Sequence, residues 1–480
     1  MRGLRKTTSR FAIAVAAALC IGVTALAPAH AAELWGDCCA DLEERVAELE
    51  ATTVRKSNRN VSVELSGHVN RMLLYWDDGI NDDVYSVDNG QSESRFRLSG
   101  GASIRPGLLA GFLIEVGTFS ADSESVDQRI DGFDTENEDG FLKVRKASFN
   151  LRHDQLGKLT VGRDSTATDQ IILLNLAQNP IADASVQWAE RFFLVARPNT
   201  GINSAALGCR GASCRTSLRR RDLAPDLDTR RGDILRYDTP ALFGLVISAA
   251  WGEDDLADVA IRYRKEWNSI RLVAGIGYLW ETDETEDGAT KIIRCPPPGL
   301  GQAACVDERR DFEDFKGSAS MMHLPTGLYV YGAFARQDPG RSISSPLRAS
   351  TFTAPVTDQD AQDATMWYIQ AGVKRRLLAP SLGATTLYGE YQKFDDFGVR
   401  RDAAPITGLE PGISEITDTS TQIWGLGLVQ DIDVAAMKLY AAYRQYDFNA
   451  RVATASTAPA GQNVPFEDFH AVALGGRIDF

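Results

Sequence analysis

FEDFHAVALGGRIDF, residues Phe466 to Phe480, ends the chain, and the rest is read outward from it. Val472, Leu474, Gly476, Ile478 and Phe480 fall on one face of an extended strand, with Arg477 and Asp479 on the other. One face suits hydrocarbon and the other water. The same period of two begins at Val61, where Val63, Leu65, Gly67 and Val69 alternate with Ser62, Glu64, Ser66, His68 and Asn70. Near Arg71 the apolar set shifts to Met72, Leu74 and Trp76, which predicts a bulge. A cleaner strand follows, with Phe96, Leu98, Gly100, Ala102 and Ile104 set against Arg95, Arg97, Ser99 and Ser103. About sixteen such segments recur, the number at which a closed barrel leaves an aqueous channel. They lie near 61–76, 92–105, 108–120, 140–153, 157–163, 231–239, 243–252, 257–267, 269–281, 312–324, 327–338, 364–378, 382–395, 419–431, 435–448 and 466–480.

The connections alternate in length. Tight turns are expected at Arg105-Pro106-Gly107, Trp267-Asn268, Pro325-Thr326-Gly327, Ala379-Pro380-Ser381 and Asp431-Ile432-Asp433. Between them run polar loops at 77–91, 121–139, 164–230, 282–311, 339–363, 396–418 and 449–465, with 253–256 as a short exception. Short turns on one side and long loops on the other mark a transmembrane barrel. Aromatic residues collect at segment ends, among them Tyr75-Trp76, Trp251, Trp267, Trp280, Trp367-Tyr368, Trp424 and Phe448, as expected of residues at a bilayer interface.

The N-terminus reads as a secretory signal, residues 1–31. Arg2, Arg5, Lys6 and Arg10 precede an apolar run from Phe11 to Ala27, and Ala29-His30-Ala31 offers the cleavage site. An uncleaved anchor helix, or a lipoprotein modified at Cys20, is the competing reading. The formal net charge is −14, and cleavage makes the mature chain more acidic. Such a surface excludes a nucleic-acid partner. Apolar residues are 44% and charged residues 24% of the chain, and no run beyond the N-terminus is long enough for a membrane helix. Cys209/Cys214 and Cys295/Cys305 are candidate loop disulfides in an oxidising periplasm, a zinc site being the weaker alternative for want of nearby histidines. Cys38 and Cys39 are neighbours, which strains a bond between them; they cross-link chains or stay free.

Residues 32–60 form a periplasmic segment ahead of the barrel, 61–480. Within it Leu42, Val46, Leu49 and Thr53 follow the seam spacing of a coiled coil, with Glu43, Glu44, Glu48 and Glu50 outside. Fewer than two heptads do not associate alone in water. The stretch is either a solvated helix or a small bundle attached to something already oligomeric.

Several strings resemble one family. CADLEERVAELEATTVRK (Cys39 to Lys56), VSVELSGHVNRMLLYWDDG (Val61 to Gly79), ESRFRLSG (Glu93 to Gly100), GKLTVGRDSTATD (Gly157 to Asp169), ILRYDTPALFG (Ile234 to Gly244) and GRIDF (Gly476 to Phe480), in this order, are similar to the trimeric Gram-negative general porins of alphaproteobacterial type. The resemblance implies an all-β, sixteen-stranded barrel in the outer membrane. It also implies a homotrimer among lipid and lipopolysaccharide, and a C-terminal Phe read by the barrel-assembly machinery. It places the third long loop, here 164–230, inside the lumen, with acidic residues facing a row of arginines. The acidic candidates are Asp164, Asp169, Asp183 and Glu190, and Asp183 to Arg197 reads as a short helix. Opposed rows of charge orient dipolar solutes at the narrowest point. The basic candidates are Arg95, Arg97, Arg236, Arg262 and Arg264, on the polar faces of their strands. Arg145 is supported by the resemblance, whereas strict alternation favours Lys146 beside Ser148 and Asn150. In a homotrimer the Leu42, Val46 and Leu49 seam would form a three-helix bundle.

The function expected is passive diffusion of ions and small hydrophilic solutes, with no cofactor or metal. His68, His153, His323 and His470 show no metal-ligand spacing, and no nucleophile or phosphate-cradling motif appears. The alternatives are a substrate-specific channel or receptor and, further off, a barrel enzyme. A sugar channel would need aromatic residues along the lumen, whereas these fall mostly in the apolar phase or at segment ends.

Overall fold

The computed structural model describes residues 61–480 apart from 119–120, 125, 129–141, 185–192, 199–212, 229–230, 254, 282–292, 295–305, 308–311, 339–362, 379–381, 400–412 and 455–461. The signal segment, the Leu42-Val46-Leu49 seam, Glu190 and Cys38, Cys39, Cys209, Cys295 and Cys305 lie outside the described residues. Cys214 is described through its backbone, which is strand. With Cys209 and both members of the Cys295/Cys305 pair outside the described residues, the two disulfides stay expectations.

Sixteen antiparallel strands among the described residues make one closed sheet. They are β1 (Ser62–Asp77), β2 (Arg95–Arg105), β3 (Leu108–Thr118), β4 (Leu142–His153), β5 (Gly157–Ser165), β6 (Arg231–Asp238), β7 (Leu245–Gly252) and β8 (Ala257–Trp267). Then come β9 (Ile270–Glu281), β10 (Phe312–His323), β11 (Leu328–Asp338), β12 (Ala364–Arg375), β13 (Thr385–Asp395), β14 (Ile413–Ile432), β15 (Met437–Thr454) and β16 (Phe469–Asp479). Each strand pairs with the next in sequence, and β16 returns to β1 with His68 opposite Asp479 and Asp77 opposite His470. Closure removes the unpaired edges that an open sheet would leave. At the seam, Gly67 N–H donates to the Phe480 carbonyl (2.7 Å) and Phe480 N–H to the Gly67 carbonyl (3.0 Å). A Cβ on Gly67 would stand 2.7 Å from the Phe480 ring, so the terminal aromatic needs glycine beneath it.

The tight turns sit where the sequence places them. Gly107 and Gly327 take positive φ of 79° and 72°. Asn268 and Ser269, at 48° and 64°, give the left-handed pair of a two-residue hairpin, whose twist matches that of the strands. The Ala379-Pro380-Ser381 turn lies outside the described residues.

The outer surface is apolar, with Leu73, Phe149, Ile247, Ile276, Ile369 and Leu426 all exposed. Trp251, Trp267, Trp280, Trp367 and Trp424 face outward with them at strand ends, as a girdle requires. Trp76 and Phe448 do not: both are buried on the inside.

That reversal corrects the reading near Arg71. Pairing of β1 with β16 runs without a register shift from His68 to Asp77, so there is no bulge. Even-numbered residues face inward along the whole strand, and Met72, Leu74 and Trp76 are apolar because something covers them. The interior is divided in this way throughout. From β9 to β16 the inward positions include Tyr329, Tyr331, Tyr368, Tyr388, Tyr440 and Tyr446, all buried, whereas from β2 to β8 they are mainly polar or charged.

Candidate functional site

What covers the aromatic half is the connection between β5 and β6. It turns into the barrel at Thr166 and is held by one strand after another. Asp258 of β8 accepts from Ala167 N–H (3.0 Å), Thr168 N–H (2.7 Å) and the Thr168 hydroxyl (2.7 Å). Beside it Gly275 and Gly277 of β9 leave room: a Cβ there would meet Leu174 at 2.6 Å and Thr168 at 2.7 Å. The Ser318 hydroxyl donates to the Ile171 carbonyl (2.5 Å), and the Tyr331 hydroxyl donates to the Ile172 carbonyl. Asn175 donates to Gln370 (2.9 Å), Lys374 to the Ala177 carbonyl (2.8 Å) and Gln392 to the Ala184 carbonyl (2.9 Å).

The connection then continues as a hairpin against β15, β16 and β1, Leu194–Pro198 paired with Ser213–Arg219. Of the helix expected over Asp183 to Arg197, the described stretch Leu194 to Arg197 is strand instead, and 185–192 lie outside the described residues. Backbone geometry explains the difference, since Leu194 and Val195 sit in a short run of apolar residues that pairs with the basic segment across from it. The same pairing puts Cys214 on a strand inside the 164–230 loop. It is the second residue of strand Ser213–Arg219, directly opposite Arg197, and its backbone is extended because the ladder with Leu194–Pro198 holds it so. Phe193 packs edge-on between Trp76 (5.2 Å) and Phe469 (5.4 Å). Arg220 is buried with its guanidinium 3.8 Å from the Tyr446 ring and 3.7 Å from Phe469. The inward aromatic residues thus exist, contrary to the expectation from phase, but they pack under the loop instead of lining the solute path.

The path left open runs between this loop and the wall of β2 to β8. Glu115 of β3 is its centre. Arg95 (3.3 Å), Arg97 and Arg145 (2.9 Å) all bond this one buried carboxylate, and Glu93 also pairs with Arg145. The choice between Arg145 and Lys146 dissolves. Pairing of β3 with β4 shifts register between Glu115 and Val116, leaving Arg145 as the extra residue of a bulge. Arg145 reaches Glu115 while Lys146 reaches Asp164 (2.9 Å) and the Ser165 hydroxyl (2.6 Å), so both face the lumen.

The other candidates separate. Asp164 belongs to strand β5, which runs on to Ser165, and is paired on the basic wall instead of facing it from the loop. Ser148 donates to it at 2.6 Å. Arg236 bonds Asp238 (2.7 Å) and the carbonyls of Ser165 (3.1 Å) and Thr166 (2.8 Å), and Arg262 donates to the Asp169 carbonyl (2.8 Å). These two arginines hold the root of the loop. Arg264 lies exposed near the β8–β9 turn, away from the constriction. Asp169 and Asp183 are on the inward part of the loop, and Asp228 on its return accepts from Gln170 N–H (2.7 Å). Burial pushes the Asp169 carboxyl above its usual range; it pushes Asp228 well above, helped by Asp169 and Asp226 nearby. Sequence reading missed Glu115, although a lone acid in the otherwise uncharged LLAGFLIEVGT segment was a usable signal. It also missed Asp258, whose role depends on a loop it meets only in three dimensions.

Among solved structures, the anion-selective porin from Comamonas acidovorans matches with TM-score 0.50 at 16% identity, covering 88% of this chain and 100% of that one. OmpT of Vibrio cholerae matches at 0.45 and 12% (89% and 100% covered), and the outer-membrane channel DcaP of Acinetobacter baumannii at 0.45 and 13% (89% and 99%). At such identities they speak to fold alone. No curated protein matches the chain. The family model described as Gram-negative porin matches residues 14–477. Spanning the barrel and its inward loop alike, that match means that the chain belongs to the Gram-negative porin family and is an outer-membrane channel for passive diffusion.

Proposed function

We propose that the chain is a general diffusion pore whose eyelet lies between the Glu93–Glu115–Arg95–Arg97–Arg145 cluster and the loop that leaves β5. The observation that carries this is the inward path of that loop, anchored from β8 to β13, which covers the aromatic half of the interior and leaves the charged wall of β2 to β8 for the solute path. A polar passage without an exposed aromatic track favours small hydrophilic solutes over a dedicated sugar, and conduction over catalysis. No nucleophile–base constellation lines it among the described residues.

A homotrimer is the assembly that fits the wall. Strands β5, β6 and β7 have 9, 8 and 8 residues. Eight residues tilted by about 40° rise only about 20 Å, short of the roughly 25 Å apolar band of a barrel in lipid. On their outward face Arg163 and Asp233 lie 3.9 Å apart, an ion pair that lipid disfavours and a neighbouring barrel accommodates. The spacing of Leu42, Val46 and Leu49 supports a small coiled coil among the three chains, with lipid and lipopolysaccharide around the barrels. The alternation of Val472, Leu474, Gly476, Ile478 and Phe480 supports recognition of this strand by the barrel-assembly machinery.

Planar-bilayer recording tests the reading. Large, steady conductance arriving in three equal steps is expected. Folded, heat-modifiable protein that carries no current would overturn it in favour of a receptor or barrel enzyme.

A further inference from the structure

We propose that the pore selects for anions, through a strip of excess positive charge that descends from the eyelet to the short-turn mouth, and that its preferred solutes are small hydrophilic anions. The inference rests on the open-pore reading above. The chain as a whole carries −14, so this sign is opposite to the one net charge would give.

At the eyelet two carboxylates, Glu93 and Glu115, are shared by three guanidinium groups. Arg97 keeps 40% of its side chain exposed to the passage. Below it the balance tilts further. Arg152 of β4 faces Lys158 of β5 directly across the strands. Like charges placed opposite one another weaken a sheet, so packing does not explain their being there. The cross-strand neighbour of Lys158 on its other side is Asp238, whose Oδ1 already accepts from Arg236 (2.7 Å) and Ser248 (2.6 Å). Arg264 adds a third cation on the lumen side of β8. The described carboxylates that face inward at this end are mostly committed. Glu266 pairs with Arg271 (2.9 Å), Asp479 with Arg477, and Asp431 is shared by Lys374 (3.7 Å) and Lys438 (3.0 Å). Glu64 and, in the turn that follows β4, Asp154 are counter-charges that remain among the described residues.

A wide pore sorts ions by the charges fixed along it, because a permeating ion stays hydrated and feels them at a distance. The test is the zero-current voltage of the full-length mature protein in a planar bilayer under a steep KCl gradient. The expected sign is that of chloride permeation. Arg152→Gln with Lys158→Gln removes two fixed charges while relieving their mutual repulsion, so folding is retained. The anion-to-cation permeability ratio is expected to fall about twofold to fourfold, as two screened charges roughly 10 Å from the ion path imply. Arg264→Gln should lower it again. A wild-type voltage of cation sign, or a ratio unmoved by the double variant, overturns the inference and leaves the diffusion pore standing. Absence of current from folded trimer overturns both.

Discussion

Glu115 gathers three arginines that would otherwise repel one another across a narrow passage. Glu115→Gln keeps the shape and removes the charge. The expected loss is about 2 kcal/mol, at the low end for breaking a buried ion pair because Arg97 is partly solvated. A denaturant titration in detergent measures it; an unchanged midpoint would mean that Glu93 alone suffices. Asp169 and Asp228 give a second prediction. Their carboxyls sit above the usual range in the packed loop, so the packed state binds protons more tightly than the released one. Loop seating is therefore strongest below the ordinary carboxylate range of about 4 and weakens as pH rises through the raised values. Open-channel current noise should grow with pH over that window. Asp169→Asn with Asp228→Asn should flatten the trend, and a profile unaltered by the double variant would assign the noise elsewhere.

At the scale of elements, the inward loop is held by groups on the wall more than by its own secondary structure. Asp258→Ala leaves two loop N–H groups and the Thr168 hydroxyl without their acceptor. Single-channel conductance should rise roughly 1.5-fold or more as the loop root leaves β9, since conductance follows the narrowest section. Unchanged conductance would show that Arg236 and Arg262 hold the root by themselves. The strands were legible in sequence because lipid outside and water inside impose a period of two, and most boundaries agree within three residues. The period became misleading where the inside is not water. Met72, Leu74 and Trp76 keep the phase of β1 but are apolar on both faces, because the loop lies against them. The hairpin that carries Cys214 was hidden for a related reason: its strands pair only with each other, inside the lumen, where no lipid face marks them. The bulge at Arg145 was equally hidden, since its cause is a register shift against β3 that VRKAS does not display. Of the six basic candidates, Arg95, Arg97 and Arg145 come together while Arg236, Arg262 and Arg264 lie elsewhere, and the carboxylates they meet are Glu93 and Glu115 of the wall, which pairing between strands brings to them and no spacing in the sequence displays.

For the whole molecule, the acidic total charge and the basic passage are separate quantities. Most acidic residues serve loops and outer surfaces, while the ion path samples β2 to β8. Association is likewise read from short walls more than from any single contact. Removing residues 32–60 should leave the barrel folded and lower the temperature at which trimers dissociate in a semi-native gel. Equal dissociation temperatures would assign that segment no role in assembly. The hairpin of the inward loop has one more consequence. It touches both strands of the seam: Arg215 bonds Asp78 just after β1 (2.7 Å), and the Ala196 carbonyl accepts from Glu467 N–H just before β16 (2.8 Å). Each half needs only one side of the seam, but the two halves act together once the last strand has met the first. The loop that narrows the pore is thus also a latch across the place where the sheet closes on itself, fastening first strand to last from within.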